Sequence, residues 1–142
     1  MGRKTVRKLL AWFYHRRGMA FRHWGHQYGD EESYRQAERD FSRAIALEPT
    51  FAQALYDRGL LRWRELGDGV GAEADLTRVL ELKPDWAEAR FNRALAREVA
   101  GNLAGALADF QCYLTEGCDP QWQEISRRQI AVLQTYCAQE EK

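Results

Sequence analysis

Cysteine, proline and long apolar runs are all scarce in this 142-residue sequence. Cys112, Cys118 and Cys137 are odd in number and form no Cys-x-x-Cys pair, so neither a disulfide framework nor a zinc site is indicated. Free thiols in a reducing compartment are the expectation, and hence a cytoplasmic protein. No apolar stretch approaches the roughly 18 residues of a membrane span. Leu9-Leu10-Ala11-Trp12-Phe13-Tyr14 follows a basic start but is too short for a secretory signal, and His15-Arg16-Arg17 closes it at once. Val6 stands where a myristoylation signal requires Ser or Thr. Acidic residues are absent from Met1 to Gly29, which holds seven Lys or Arg and all three histidines. The formal net charge is nevertheless zero, so the remainder carries a compensating acidic excess.

Few prolines among many Ala, Leu, Arg and Glu favour helix throughout. Val6, Leu9/Leu10, Phe13, Ala20/Phe21 and Trp24 recur at helical period, interrupted by Arg17, and predict an opening helix over residues 4–27 that weakens at Gly25 and Gly29. Asp30, or alternatively a capping box at Ser33, starts the next helix, and Pro49 stops it. Phe51 to Pro84 reads as two further helices broken at Gly67-Asp68-Gly69-Val70-Gly71, and a stretch of similar spacing follows. Asp119 and Pro120 open a last helix carrying Trp122, Ile125, Ile130, Leu133 and Tyr136. The expected class is all-α.

The spacing repeats. Pro49 to Pro84 is 35 residues, Ala37 to Ala72 is 35, and Ala72 to Ala106 is 34. Such a period is the signature of a helical solenoid. Ala37-x3-Phe41 with Ala44 and Pro49, Ala72-x3-Leu76 with Val79 and Pro84, and Ala106-x3-Phe110 resemble the second half of the tetratricopeptide repeat (TPR). Gly18, Gly59 and Ala94 fill its small position, each preceded by an arginine: Arg17, Arg58 and Arg93. From small position to alanine the family has about twelve steps. Ala94 to Ala106 also has twelve, Gly59 to Ala72 has thirteen and Gly18 to Ala37 has nineteen. The second unit thus carries one surplus residue, which leaves Trp63 to face either groove or core. The first carries about seven, between Trp24 and Ser33.

The resemblance implies a right-handed superhelical array of antiparallel helix pairs, about seven helices in a single domain. Its repeats would span residues 11–50, 51–85 and 86–120, with a capping helix over 120–138. It also implies an adaptor that holds a peptide or helix of a partner protein in a concave groove lined by the first helix of each pair. Carried over by position, the lining is His15, Arg16, Met19 and Arg22, then Tyr56, Asp57, Leu60 and Trp63, then Phe91, Asn92, Leu95 and Glu98. His15, Tyr56 and Phe91 would form a ring-bearing row, and Met19, Leu60 and Leu95 an apolar one. A clamp for a chain-terminal carboxylate is disfavoured, because Asp57 and Glu88 would repel it. The basic N-terminal helix offers two alternatives, self-association into a homo-oligomer or chaperone-like module, and contact with RNA or an anionic surface. No base-reading pattern supports nucleic acid. His23 and His26 lack a third ligand, so no metal is expected, and no cofactor or catalytic motif is visible.

Overall fold

The computed structural model describes residues 2–140 and contains, among them, seven helices and no strand. They are α1 (Arg3–Tyr28), α2 (Glu31–Leu47), α3 (Ala52–Arg64), α4 (Gly69–Leu82), α5 (Ala87–Ala100), α6 (Leu103–Glu116) and α7 (Pro120–Glu140). Helices α1/α2, α3/α4 and α5/α6 form the main packing pairs, α2/α3, α4/α5 and α6/α7 join them, and α3 also touches α1 and α5. Each pair closes on an alanine that is wholly buried (Ala37, Ala72, Ala106) beside a large residue four on (Phe41, Leu76, Phe110). The small side chain lets the backbones approach while the large one fills the space beside it.

Caps fix the helix starts. Asp30 accepts from the Glu32 amide at 3.2 Å and from the Ser33 hydroxyl, so Asp30 is the cap and Ser33 its buried partner. Asp119 accepts from the amides of Gln121 and Trp122 at 2.9 and 3.1 Å, and Pro120 opens α7 as expected, since its missing N–H costs nothing there.

The surplus residues have definite places. Four residues, Glu65–Asp68, separate α3 from α4, against two between α5 and α6. The extra residue of the second unit therefore lengthens the turn, and α3 runs without a bulge. In the first unit α1 continues four residues further past its small position than α5 does, and α2 begins three earlier relative to Ala37 than α6 does relative to Ala106. A longer hairpin tip results. Gly25 sits inside this tip, not at a helix end as its sequence suggests. A Cβ there would lie 2.6 Å from the Tyr34 ring, so glycine permits the close approach of α1 and α2. The helix ends instead at Gly29, whose φ of 65° is a left-handed cap.

The chain has seventeen arginines against four lysines, and five of them, Arg17, Arg58, Arg62, Arg93 and Arg97, form a repeating network whose partners lie on other helices. Arg17 grips Asp40 with two bonds of 2.6 Å. Arg58 grips Asp75 at 2.9 and 2.6 Å, and Arg93 grips Asp109 at 2.8 Å through both nitrogens. Each joins the two helices of one pair. One turn later Arg62 bonds Asp75 and also Glu38 of the preceding pair, and Arg97 repeats this with Asp109 and Glu73. Lysine has no planar fork and could not make these bidentate contacts. In the first pair Phe21 takes the place of Arg62 and Arg97, and the ladder stops there.

Candidate functional site

Helices α1, α3 and α5 adjoin along one side, and their polar side chains first satisfy one another. His15 Nε2 lies 2.7 Å from the Asp57 carboxylate, both buried, and Gln53 donates to the same carboxylate at 3.2 Å. A carboxylate only accepts, so Nε2 carries the proton. Asn92 is wholly buried; its amide donates to the Tyr56 hydroxyl at 3.1 Å and to the Glu88 carbonyl at 2.9 Å. Arg22 pairs with Glu65 at 3.1 Å, and His26 reaches the same carboxylate at 3.0 Å. Burial pushes the Tyr56 hydroxyl up to about 12, so it stays neutral.

The ring-bearing row is used for packing. His15 lies against Phe51 with centroids 5.0 Å apart, Tyr56 stacks on Trp86 at 4.5 Å, and Phe91 stacks on Trp122 at 4.6 Å. Each ring meets the aromatic that opens the next helix of the same side. The row thus joins neighbouring helix pairs, and the expectation of an open ring-lined surface is corrected for His15 and Phe91, which are buried. Asp57, Leu60 and Asn92 are buried as well, for the reasons just given or by packing. Trp63 is half-buried against the cluster around Leu55, Leu76 and Ala96, with the Arg64 guanidinium 5.0 Å from its ring. It packs on the core, and its shielded Nε1 has no acceptor among the described residues.

What remains open on these helices follows a simple register. Met19, Leu60 and Leu95 mark the centre, and the residues seven before and four after each share its face. These are Trp12 and His23 on α1, Gln53 and Arg64 on α3, and Glu88 and Val99 on α5, all exposed. Met19 is 36% exposed, Leu95 is half-buried and Leu60 forms the floor. Arg16 is exposed beside this strip, and Glu98 is half-buried near its end; burial raises the Glu98 carboxyl above its ordinary value. Of the twelve residues expected to line a groove, Arg16 and Met19 are exposed, and Arg22, Tyr56, Trp63, Leu95 and Glu98 keep part of their surface. Trp12, His23, Gln53, Arg64, Glu88 and Val99 share this open face and were not among the twelve, although the same 3.6-residue period marks them. No group of His, Cys, Asp or Glu that could hold a metal ion occurs among the described residues. None of the described helices is long and apolar enough to cross a membrane.

No protein-family model matches the sequence, and no curated protein matches it. Solved structures do. The Arabidopsis OM64 TPR domain aligns with a TM-score of 0.74 at 19% identity, over 88% of this chain and 97% of that one. The N-terminal domain of stress-induced protein-1 (STI-1) from C. elegans gives 0.70 at 15% identity, over 87% and 96%. The second TPR domain of human RPAP3, solved in complex with the HSP70 peptide SGPTIEEVD, gives 0.66 at 21% identity, over 85% and 98%. The helix pairs, their buried alanines and these alignments agree: this chain has the TPR fold, a right-handed superhelical array of antiparallel helix pairs.

Proposed function

We propose that this protein is a protein–protein interaction adaptor that holds a peptide segment of a partner across α1, α3 and α5. The observation that carries the reading is the open strip centred on Met19, Leu60 and Leu95, beside the buried pairs His15–Asp57 and Tyr56–Asn92 that join the same helices. Solved structures of this fold include domains bound to HSP90 and HSP70 peptides, which supports peptide binding as the type of activity. The chemistry of the strip sets its own preference. An apolar side chain of the peptide covers Leu60, its acidic end lies toward His23 and Arg64, and Glu88 disfavours an acidic group at the other end. A terminal carboxylate gains nothing from Asp57, a buried carboxylate that accepts from His15 and Gln53. Three free thiols, two of them exposed, fit a reducing cytoplasm as the setting.

A photo-crosslinking side chain placed at Met19, with exposed Arg78 on α4 as the control position, tests the reading in extract of the native host. Labelling of one partner through a short segment from position 19 alone is the expected result. Equal labelling from both positions, or none from position 19, would exclude the strip.

A further inference from the structure

Helix α1 starts eight residues earlier than its counterparts. Counted from the small residues Gly18, Gly59 and Ala94, Ala11 corresponds to Ala52 and Ala87, where α3 and α5 begin, yet α1 begins at Arg3. The two extra turns, about 12 Å long, run beside the turn that joins α2 to α3. Arg7 ties them to it by donating to the Leu47 carbonyl at 3.1 Å. Two depressions separate this extension from the turn. One, of about 390 Å³, is walled by Ala11 and Trp12 on α1 and by Thr50 and Phe51 on the turn. The other, of about 210 Å³, lies between Lys4 and Arg7 on α1 and Leu47 and Pro49 on the turn. Lys8 and Glu48 line both, so the two form one cleft. The corresponding turn after α4 has no such wall, because α3 has no extension.

Apolar and basic groups meet in this cleft on one side of α1. Trp12 is 58% exposed, and Lys8 and Lys4 precede it at one-turn intervals. Both lysines are exposed and pair with no described carboxylate. The Arg16 guanidinium adds a further positive charge 5.9 Å from the Trp12 ring. Among the described residues that line the cleft, Glu48 alone is acidic, and it accepts from the Thr50 hydroxyl at 2.8 Å.

We infer that this cleft is a second anchoring site, for an acidic segment of a partner protein that carries one large apolar side chain. The apolar side chain enters between Trp12 and Phe51, and the carboxylates beside it reach Lys8 and Lys4. The spacing fits an extended chain. Trp12, Lys8 and Lys4 stand about 6 Å apart along the helix, and side chains on one side of a strand repeat about every 7 Å. The segment therefore has acidic residues two and four positions from its apolar one. Glu48 lines the turn side of the cleft, which places those acids along α1. It also disfavours a phosphate backbone, which gains from cations on both walls. Trp12 ends the strip described above, but Lys8 and Lys4 lie beyond it, so this site stands whether or not the strip is filled.

The probe is a labelled synthetic peptide with one leucine and glutamates two and four residues after it. It is tested beside its reversed sequence, and binding to the full chain is read by fluorescence polarisation. Saturable binding of at least one of the two is expected. Lys4→Glu combined with Lys8→Glu is expected to weaken it by about tenfold or more, and Trp12→Ser by about fivefold. Arg78→Glu, the same kind of charge change at an exposed position on α4, is expected to change it less than about twofold. Peptides with serine for the leucine, or lysines for the glutamates, are expected to bind about tenfold more weakly at low salt. No saturable binding, binding that the lysine substitutions leave unchanged, or equal binding of the peptide without its leucine overturns the proposal. Flotation with phosphatidylserine vesicles that is lost in the double lysine variant while the peptides fail to bind assigns the cleft to lipid and overturns it. A dimer in light scattering that the same variant dissociates assigns it to a second copy and equally overturns it. Peptide binding that persists where crosslinking from Met19 finds no partner supports the cleft and faults the strip alone.

Discussion

The outward faces of α1 and α3 are cut from one register and have opposite fates. On α3, Ala54 and Leu61 are small or unbranched at Cβ and sealed, and Arg58 is tied both to Asp75 in its own pair and to Ser42 in the pair before. On α1 the matching positions are Phe13 and Ala20 around Arg17, which holds Asp40 but is itself 37% exposed. The difference lies in what covers the face. A junction between pairs needs small side chains, because another helix must approach, and it needs charged side chains that are fully spoken for. The α1 face, which no described residue covers, is under neither constraint and carries the large exposed side chains Phe13 and Trp24.

The largest effects should come from breaking the ladder where it is sealed. Asp75→Ala leaves Arg58 with no carboxylate and Arg62 with only Glu38 and the more distant Asp68, and is expected to cost about 3–5 kcal/mol in urea unfolding. Asp40→Ala should cost clearly less, because Arg17 can turn to water. A loss at Asp40 equal to that at Asp75 would mean that the α1 face is as closed as the α3 face. Next in size is Gly25→Ala, where the added methyl meets the Tyr34 ring and forces the hairpin tip apart. About 1–3 kcal/mol is expected, with Gly29→Ala testing the separate cost of a left-handed φ.

The smallest effect concerns Glu98. Burial raises its carboxyl above the ordinary value, so the folded state holds that proton more tightly than the unfolded chain does. Its contribution to stability is full below the unfolded value and is lost as pH rises through the raised folded one. Glu98→Gln should therefore stabilise the protein at pH 7 by about a few tenths of a kcal/mol, with the gain vanishing below about pH 4. A loss at pH 7 would show that the charge has a partner.

Much of the fold was legible because it rests on local rules. The helix number, the Asp119–Pro120 start and the buried alanines all follow from period and cap chemistry. The two glycines near the end of α1 were harder: Gly25 reads as a breaker until Tyr34 of the opposite helix is placed against it. The ladder was half visible. An arginine before each small position stood out, but its partner lies on another helix. The clue was that Asp40, Asp75 and Asp109 each immediately precede the large core residue. The candidate site was least legible. A position that faces the neighbouring first helix and one that faces solvent differ by a single residue, and the ring row fell on the packing side of that boundary. His15 and Phe91 went inward because aromatics at Phe51 and Trp122 were waiting for them.

The pair Ala20 and Leu61 compares the two faces at one position each. Ala20→Asp and Leu61→Asp, measured side by side by urea unfolding, put the same charge on the open and on the covered face. An open face on α1 predicts a change within about 0.5 kcal/mol for Ala20→Asp, and a loss of several kcal/mol or outright unfolding for Leu61→Asp. Comparable losses at the two positions would contradict it, and would mean that the face of α1 is already filled.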